Sequence, residues 1–170
     1  GHVMASGEAP PDPPPARRRR LRLLHGAAGL GLAASFPVEE FASARAGLLL
    51  RGGVCLAELA LGAGLLAPAT RAGLHRRLFR FALWTIPAGL LAAGVTPLRR
   101  VPLLHITFVG GLSLLAFAVS VHVTLLHTGR DALADRSPWP VAVAALLTLA
   151  AGAVRVSAER MPGYYFEALT

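Results

Sequence analysis

The stretch Leu103–Arg130, LLHITFVGGLSLLAFAVSVHVTLLHTGR, decides the fold. It contains no Asp, Glu, Lys or Arg before Arg130, and a helix of that length crosses the roughly 30 Å hydrocarbon core of a bilayer. The same stretch carries His105, His122 and His127. An ionisable side chain inside a membrane is costly, so each imidazole calls for a partner, a metal or a cofactor.

Outward from this segment the chain repeats the theme. Further apolar runs cover Leu21–Phe36, Ala46–Ala67, Leu78–Val95 and Trp139–Val156, beside Val101–His127 itself. The second run holds Arg51 and Glu58, and the third holds Trp84 and Pro87. The expected fold is all-α, a polytopic transmembrane bundle of about five helices. Composition agrees: 54% hydrophobic and 15% charged residues, against roughly 25% charged in soluble domains, with a mean hydropathy of +0.55. Glycines at 26, 29, 31, 62, 64, 110, 111 and 152 suit closely packed spanning helices.

All 17 basic residues are arginine, and the net charge is +8. The arginines cluster between apolar runs without interleaved exposed aromatics, which argues against nucleic-acid binding and for membrane orientation. With a cytoplasmic N-terminus, eleven arginines fall inside and five outside, with Arg51 within the membrane. That count supports a cytoplasmic N-terminus, and the all-arginine usage suits a GC-rich bacterial genome, so the expected location is a bacterial inner membrane. Residues 1–20 read as a cloning scar (Gly1–Ser6) and a disordered, proline- and arginine-rich cytoplasmic tail, and residues 21–170 as the transmembrane domain. The end, Pro162–Thr170, reads as an interfacial belt that enters a further helix or stops in a half-turn, so the chain is expected to be a fragment or to end at the interface. The single cysteine, Cys55, excludes an internal disulfide and suits a small buried hydrophobe.

Helical arithmetic sorts the histidines by depth. On an uninterrupted α-helix His105 and His127 fall within roughly 40° of one face but about 33 Å apart, so they cannot ligate one metal. His25, four residues into the first apolar run, matches the depth of His122 near the inner surface. Two imidazoles at one level across a bundle are the arrangement a bis-histidine haem b needs. His127 can replace His122 or bind copper beside it. A lone intramembrane histidine more often serves interhelical hydrogen bonding, but four in five helices favour a cofactor. Glu58 reads either as a proton-relay carboxylate or, in the favoured reading, as a buried acid bonded to an arginine or a backbone carbonyl. Arg51 lies near the outer end of its run and can snorkel, so it is weak evidence of function. His75, in the basic stretch Arg71–Arg80, is expected to be solvated.

The opening segment resembles the signature of the NnrS family, haem- and copper-containing bacterial membrane proteins linked to nitric oxide stress. The matching elements are Leu104-His105, Val109-Gly110 and the closing His127-Thr128-Gly129-Arg130, preceded by Trp84 and a Pro97-Leu98-Arg99 turn. An alanine-rich helix ending in arginine, AALLTLAAGAVRV, follows. The resemblance covers about Leu78–Thr170, and the rest more loosely. Typical members are longer, so the chain resembles their C-terminal part, and a homodimer would rebuild a larger bundle. Two positions depart from the pattern: His122 stands where the family usually has arginine, and Leu126 where it has glycine.

The resemblance implies a haem-binding membrane protein of nitric oxide response or metabolism. The expected cofactor site is His25, His122 and His127 near the inner surface, with His105 marking a second, outer position. Arg22 and Arg130 are candidates to hold haem propionates, since guanidinium suits carboxylate. Candidate metal ligands are His105, His122 and His127, with copper as the second metal beside haem b. Two other readings stay open: a bis-histidine electron-transfer subunit fed by quinol, and a cofactor-free structural membrane protein.

Overall fold

A computed structural model describes residues 14–63, 65–66, 73–129 and 139–157. Helix α1 (Pro15–Phe41) opens on a proline, whose fixed φ suits a first helical turn. Arg17–Arg20, expected in the tail, therefore form the first turns of a 27-residue helix. Ser43 caps α2 (Ala44–Ala57) by accepting from the Ala46 N–H. A π-helical turn, Glu58–Gly62, continues α2. Helix α3 (Leu74–Val95) follows Gly73, whose φ of 128° is a conformation that favours glycine.

After a turn at Pro97–Arg99 the chain forms one long rod. The rod comprises α4 (Arg100–His105), a π-helical stretch Ile106–Ser113, and α5 (Leu114–His127). Helix α6 (Trp139–Ser157) completes the described fold. Four of these units are long and apolar enough to cross a membrane: α1, α3, the rod Pro97–Leu125, and α6. The fifth, α2 with its π turn, carries Arg51 and Glu58, and both charges find partners inside the bundle. The chain is thus an all-helical membrane protein, as its apolar runs imply.

Helix α3 is the hub. It packs on α2 along one side and on the rod along the other, while α1 lies on α2 and α6 lies mainly on the rod. Two apolar clusters fill these seams. Leu78 and Ala82 of α3 meet Leu114 and Ala118 of α5 and Ala145 of α6. Leu90 and Ala93 of α3 meet Leu48 of α2. Lipid supplies no hydrophobic drive between helices, so close backbone approach carries the packing. A Cβ on Gly89 would lie 2.4 Å from Thr107 Oγ1 and 2.7 Å from the Thr107 backbone nitrogen. The Thr107 hydroxyl donates to the Ile86 carbonyl across the same seam at 3.0 Å. On the opposite side, Gly94 leaves room for Leu49 and Gly52 for Leu91.

The π-helical stretch corrects one expectation. A π-helix bonds i→i+5 and turns less per residue than an α-helix, so the shared face of His105 and His127 does not carry across Ile106–Ser113.

A polar knot ties α1, α2 and the start of α4 together. The Glu39 carboxylate accepts from Arg51 at 2.9 Å and also from Arg100. Arg51 further donates from Nε to the buried Ser35 hydroxyl at 3.0 Å, and its guanidinium sits 4.0 Å above the Phe36 ring. Arg51 is therefore held by partners within the protein. The sequence reading stopped the first apolar run at Phe36, so Glu39 lay outside it.

Two outcomes follow for thermal unfolding in detergent. Glu39→Gln strands two arginines and costs about 1–3 kcal/mol, since the pair lies between the exposed and the buried limits. Gly89→Ala forces the α3–rod seam apart and costs about 1–3 kcal/mol of overpacking. An unchanged melting temperature in either variant would contradict the corresponding contact.

Candidate functional site

Two imidazoles come together inside the bundle. His75 is the second residue of α3 and His122 lies one turn before the end of α5, on helices that run in opposite directions. Their rings lie 5.4 Å apart between centroids with planes inclined by 22°. His75 is 2% exposed and His122 is 7% exposed. His75 is thus buried, contrary to its expected place in a solvated loop.

The helix seams explain this burial. On α3 the buried positions are His75, Leu78, Ala82, Pro87, Gly89, Leu90, Ala93 and Gly94, and the first three, at steps of three and four residues, share one face. On the rod they run Thr107, Gly111, Leu114, Ala118 and His122. Each histidine occupies the last position of its seam, so the pair caps the apolar cluster of Leu78, Ala82, Leu114 and Ala118. Burying two imidazoles in such a place is costly unless their polar atoms are used.

The spacing was available in the sequence: His75 stands three residues before Leu78 and seven before Ala82. It was hidden because the apolar run begins at Leu78 and His75 is followed by Arg76 and Arg77.

The other histidines have different surroundings. His25 donates from Nδ1 to Glu58 Oε1 at 2.5 Å, joining α1 to the π turn after α2. Gly62 makes this possible, because a Cβ there would lie 2.4 Å from Glu58 Oε1. Among the described residues Glu58 is thus bonded to a histidine, and neither to an arginine nor to a carbonyl. His105 and His127 bond through Nδ1 to the carbonyls of Val101 and Val123, each at 2.9 Å. A carbonyl only accepts, so Nδ1 carries a proton in both. A carboxylate or carbonyl behind one ring nitrogen is the usual way proteins aim the other nitrogen at a metal.

The expected site set is therefore dispersed. The described contacts bring His122 to His75 and His25 to Glu58, while His127 stands exposed beyond the pair and His105 lies across the π-helical stretch. Arg22 is exposed on α1, one turn before His25, and on neither helix that carries the pair. Arg130 lies outside the described residues. Among the described residues no three His, Cys, Asp or Glu side chains gather as a metal cluster.

The pair's spacing can be tested against a shared metal. Imidazole–metal bonds are about 2.0–2.1 Å, which sets two rings on one metal roughly 6 Å apart between centres. The observed pair, 5.4 Å between centres with planes inclined by 22°, has the geometry of stacked rings, for which about 4.5–7 Å is usual, and is closer than a shared metal requires. Two imidazoles are the right donor chemistry for a group that takes two nitrogen ligands, and the rings would have to move apart to hold it.

A family model described as NnrS protein matches residues 2–170. The chain belongs to the NnrS family. Membership extends over the N-terminal helices, beyond the Leu78–Thr170 part where the resemblance is most evident. In general terms it makes this NnrS chain a nitric-oxide-related membrane protein. No curated protein and no solved structure shows detectable similarity to it.

Burial sorts the histidines chemically. Diethylpyrocarbonate applied to the folded NnrS chain without added cofactor should modify His127 and His25 readily and leave His75 and His122 protected, as read by peptide mass spectrometry. Modification of His75 as fast as His127 would contradict the buried pair.

Proposed function

We propose that this NnrS-family protein binds haem b at the α3–α5 seam, with His75 and His122 as the axial ligands, and works in nitric oxide response or metabolism. The observation that carries the proposal is the buried imidazole pair, 5.4 Å between ring centres on two antiparallel helices.

The choice of haem over a bare metal ion rests on ligand number. Haem iron brings four macrocycle nitrogens and asks the protein for one or two axial groups. A bare copper or zinc ion takes about three or four protein ligands, and no such group assembles among the described residues. Copper therefore ranks second, and metal analysis separates the two.

The residues do the following in this reading. His75 and His122 supply nitrogen lone pairs from facing helices, and the seams fix both rings at one depth. Leu78, Ala82, Leu114 and Ala118 exclude water from the membrane side of the pair. His25, held by Glu58, belongs to a separate position on α1. When bound, haem iron would supply reversible one-electron chemistry. The arginine distribution supports a cytoplasmic N-terminus in an inner membrane, which would put the pair near the cytoplasmic surface.

One observation favours the electron-transfer reading as well. With both His75 and His122 committed to holding the group, gas binding would require one of the two histidines to let go. If neither did, the site would serve electron transfer, for example from quinol.

An absorption spectrum of the purified, haem-loaded protein, with metal analysis, tests the proposal. A Soret band that shifts on adding nitric oxide or carbon monoxide supports the nitric oxide reading. A low-spin spectrum indifferent to both gases supports electron transfer. His75→Ala and His122→Ala should each abolish or convert the spectrum, whereas His105→Ala should not. A protein that takes up no haem under any condition would refute the site.

A further inference from the structure

We infer that His25 and Glu58 form a proton-uptake pair, in which the imidazole takes a proton at the arginine-rich end of α1 and hands it to the carboxyl group inside the bundle. The two side chains meet across helices, His25 Nδ1 to Glu58 Oε1 at 2.5 Å. Their exposure is unequal: the His25 side chain is 54% exposed and that of Glu58 25%. One carboxyl oxygen lies deeper still. Glu58 Oε2 is buried and has no hydrogen-bond partner among the described residues.

That inner oxygen separates a proton site from a structural tie. An ionised carboxylate accepts through both oxygens, and leaving one of them buried without a donor is costly. A neutral carboxyl group avoids burying the charge. Gly62, at the end of the π turn Glu58–Gly62, gives the group room. A Cβ there would lie 2.4 Å from Oε1, 2.8 Å from Cδ and 3.0 Å from Oε2, so the carboxyl group rests on bare backbone and can turn about its Cγ–Cδ bond.

The outer end of the pair reaches water. Arg22 precedes His25 by about 4.5 Å along α1, and arginines at the end of a spanning helix stand at the head-group level. A proton arriving at His25 Nε2 is matched by transfer of the Nδ1 proton to Glu58 Oε1. The imidazole ends neutral with its proton on Nε2, and Glu58 ends as a neutral acid. Turning the carboxyl group then brings that proton to the buried side. The other titratable and charged groups of the packed helices are engaged elsewhere. Arg51 binds Glu39, Cys55 packs on the Leu48, Leu90 and Ala93 cluster, and Arg80 of α3 donates to the Leu65 carbonyl. Imidazole and carboxyl groups in spanning helices mark proton relays for this reason.

Infrared spectroscopy of the full chain in liposomes tests the pair. Difference spectra between about pH 8 and about pH 5 should contain the carbonyl stretch of a neutral carboxylic acid that disappears in Glu58→Gln. In D2O that band should shift as the carboxyl proton exchanges. His25→Ala should slow the exchange about 100-fold, the scale of a positioned proton-transfer group, and added imidazole should restore most of it. His25→Gln keeps a hydrogen-bonding side chain beside Glu58 and should be slowed alike at an unchanged melting temperature. Absence of a Glu58 carbonyl stretch at the lower pH would overturn the site, as would unchanged exchange in both His25 variants. Slow exchange that imidazole fails to restore in His25→Ala would mark a structural tie and overturn the relay. No variant touches His75 or His122, so failure here and failure of the haem reading are told apart.

Discussion

The architecture depends on backbone contact along both sides of α3. Gly89 admits Thr107 on the rod side, and Gly94 and Gly52 admit leucines on the α2 side. In lipid these contacts replace the hydrophobic drive that would hold a soluble bundle. They also set the register of α3 against the rod. That register puts His75 at the level of His122, so the candidate site is a consequence of glycine packing several turns away.

The second constraint is that charge inside the membrane must find a partner within the protein. Arg51 is satisfied by Glu39, Ser35 and Phe36, and Glu58 is satisfied by His25. Both arrangements join α1 to α2. A helix with an arginine and a glutamate can thereby sit beside four units that are long and apolar enough to span. His75 and His122 differ in kind. They stack on each other at the end of an apolar seam.

Much of the fold was legible in the sequence. The runs Leu78–Val95, Val101–His127 and Trp139–Val156 closely match α3, the rod and α6. What escaped has physical causes. The π-helical stretch Ile106–Ser113 leaves no mark on an unbroken apolar run, so the face of His105 relative to His127 could not be read from α-helical spacing. Glu39 stands outside the apolar run it serves, because its partners Arg51 and Arg100 come from other helices. His122 is the anomalous residue of its helix, and depth alone points to His25 on α1 as its neighbour. The neighbour is His75, masked by the arginines beside it. The family motif made the chain's membership legible from His105 and His127-Thr128-Gly129-Arg130, whereas the buried pair lies partly outside that motif.

The central claim is that His75 and His122 hold one iron between them. Electron paramagnetic resonance of the ferric, haem-loaded protein tests it most directly. A low-spin signal of two-imidazole ligation is expected, converted to high spin in His75→Ala and in His122→Ala alike. A low-spin signal that survives His75→Ala unchanged would contradict the account.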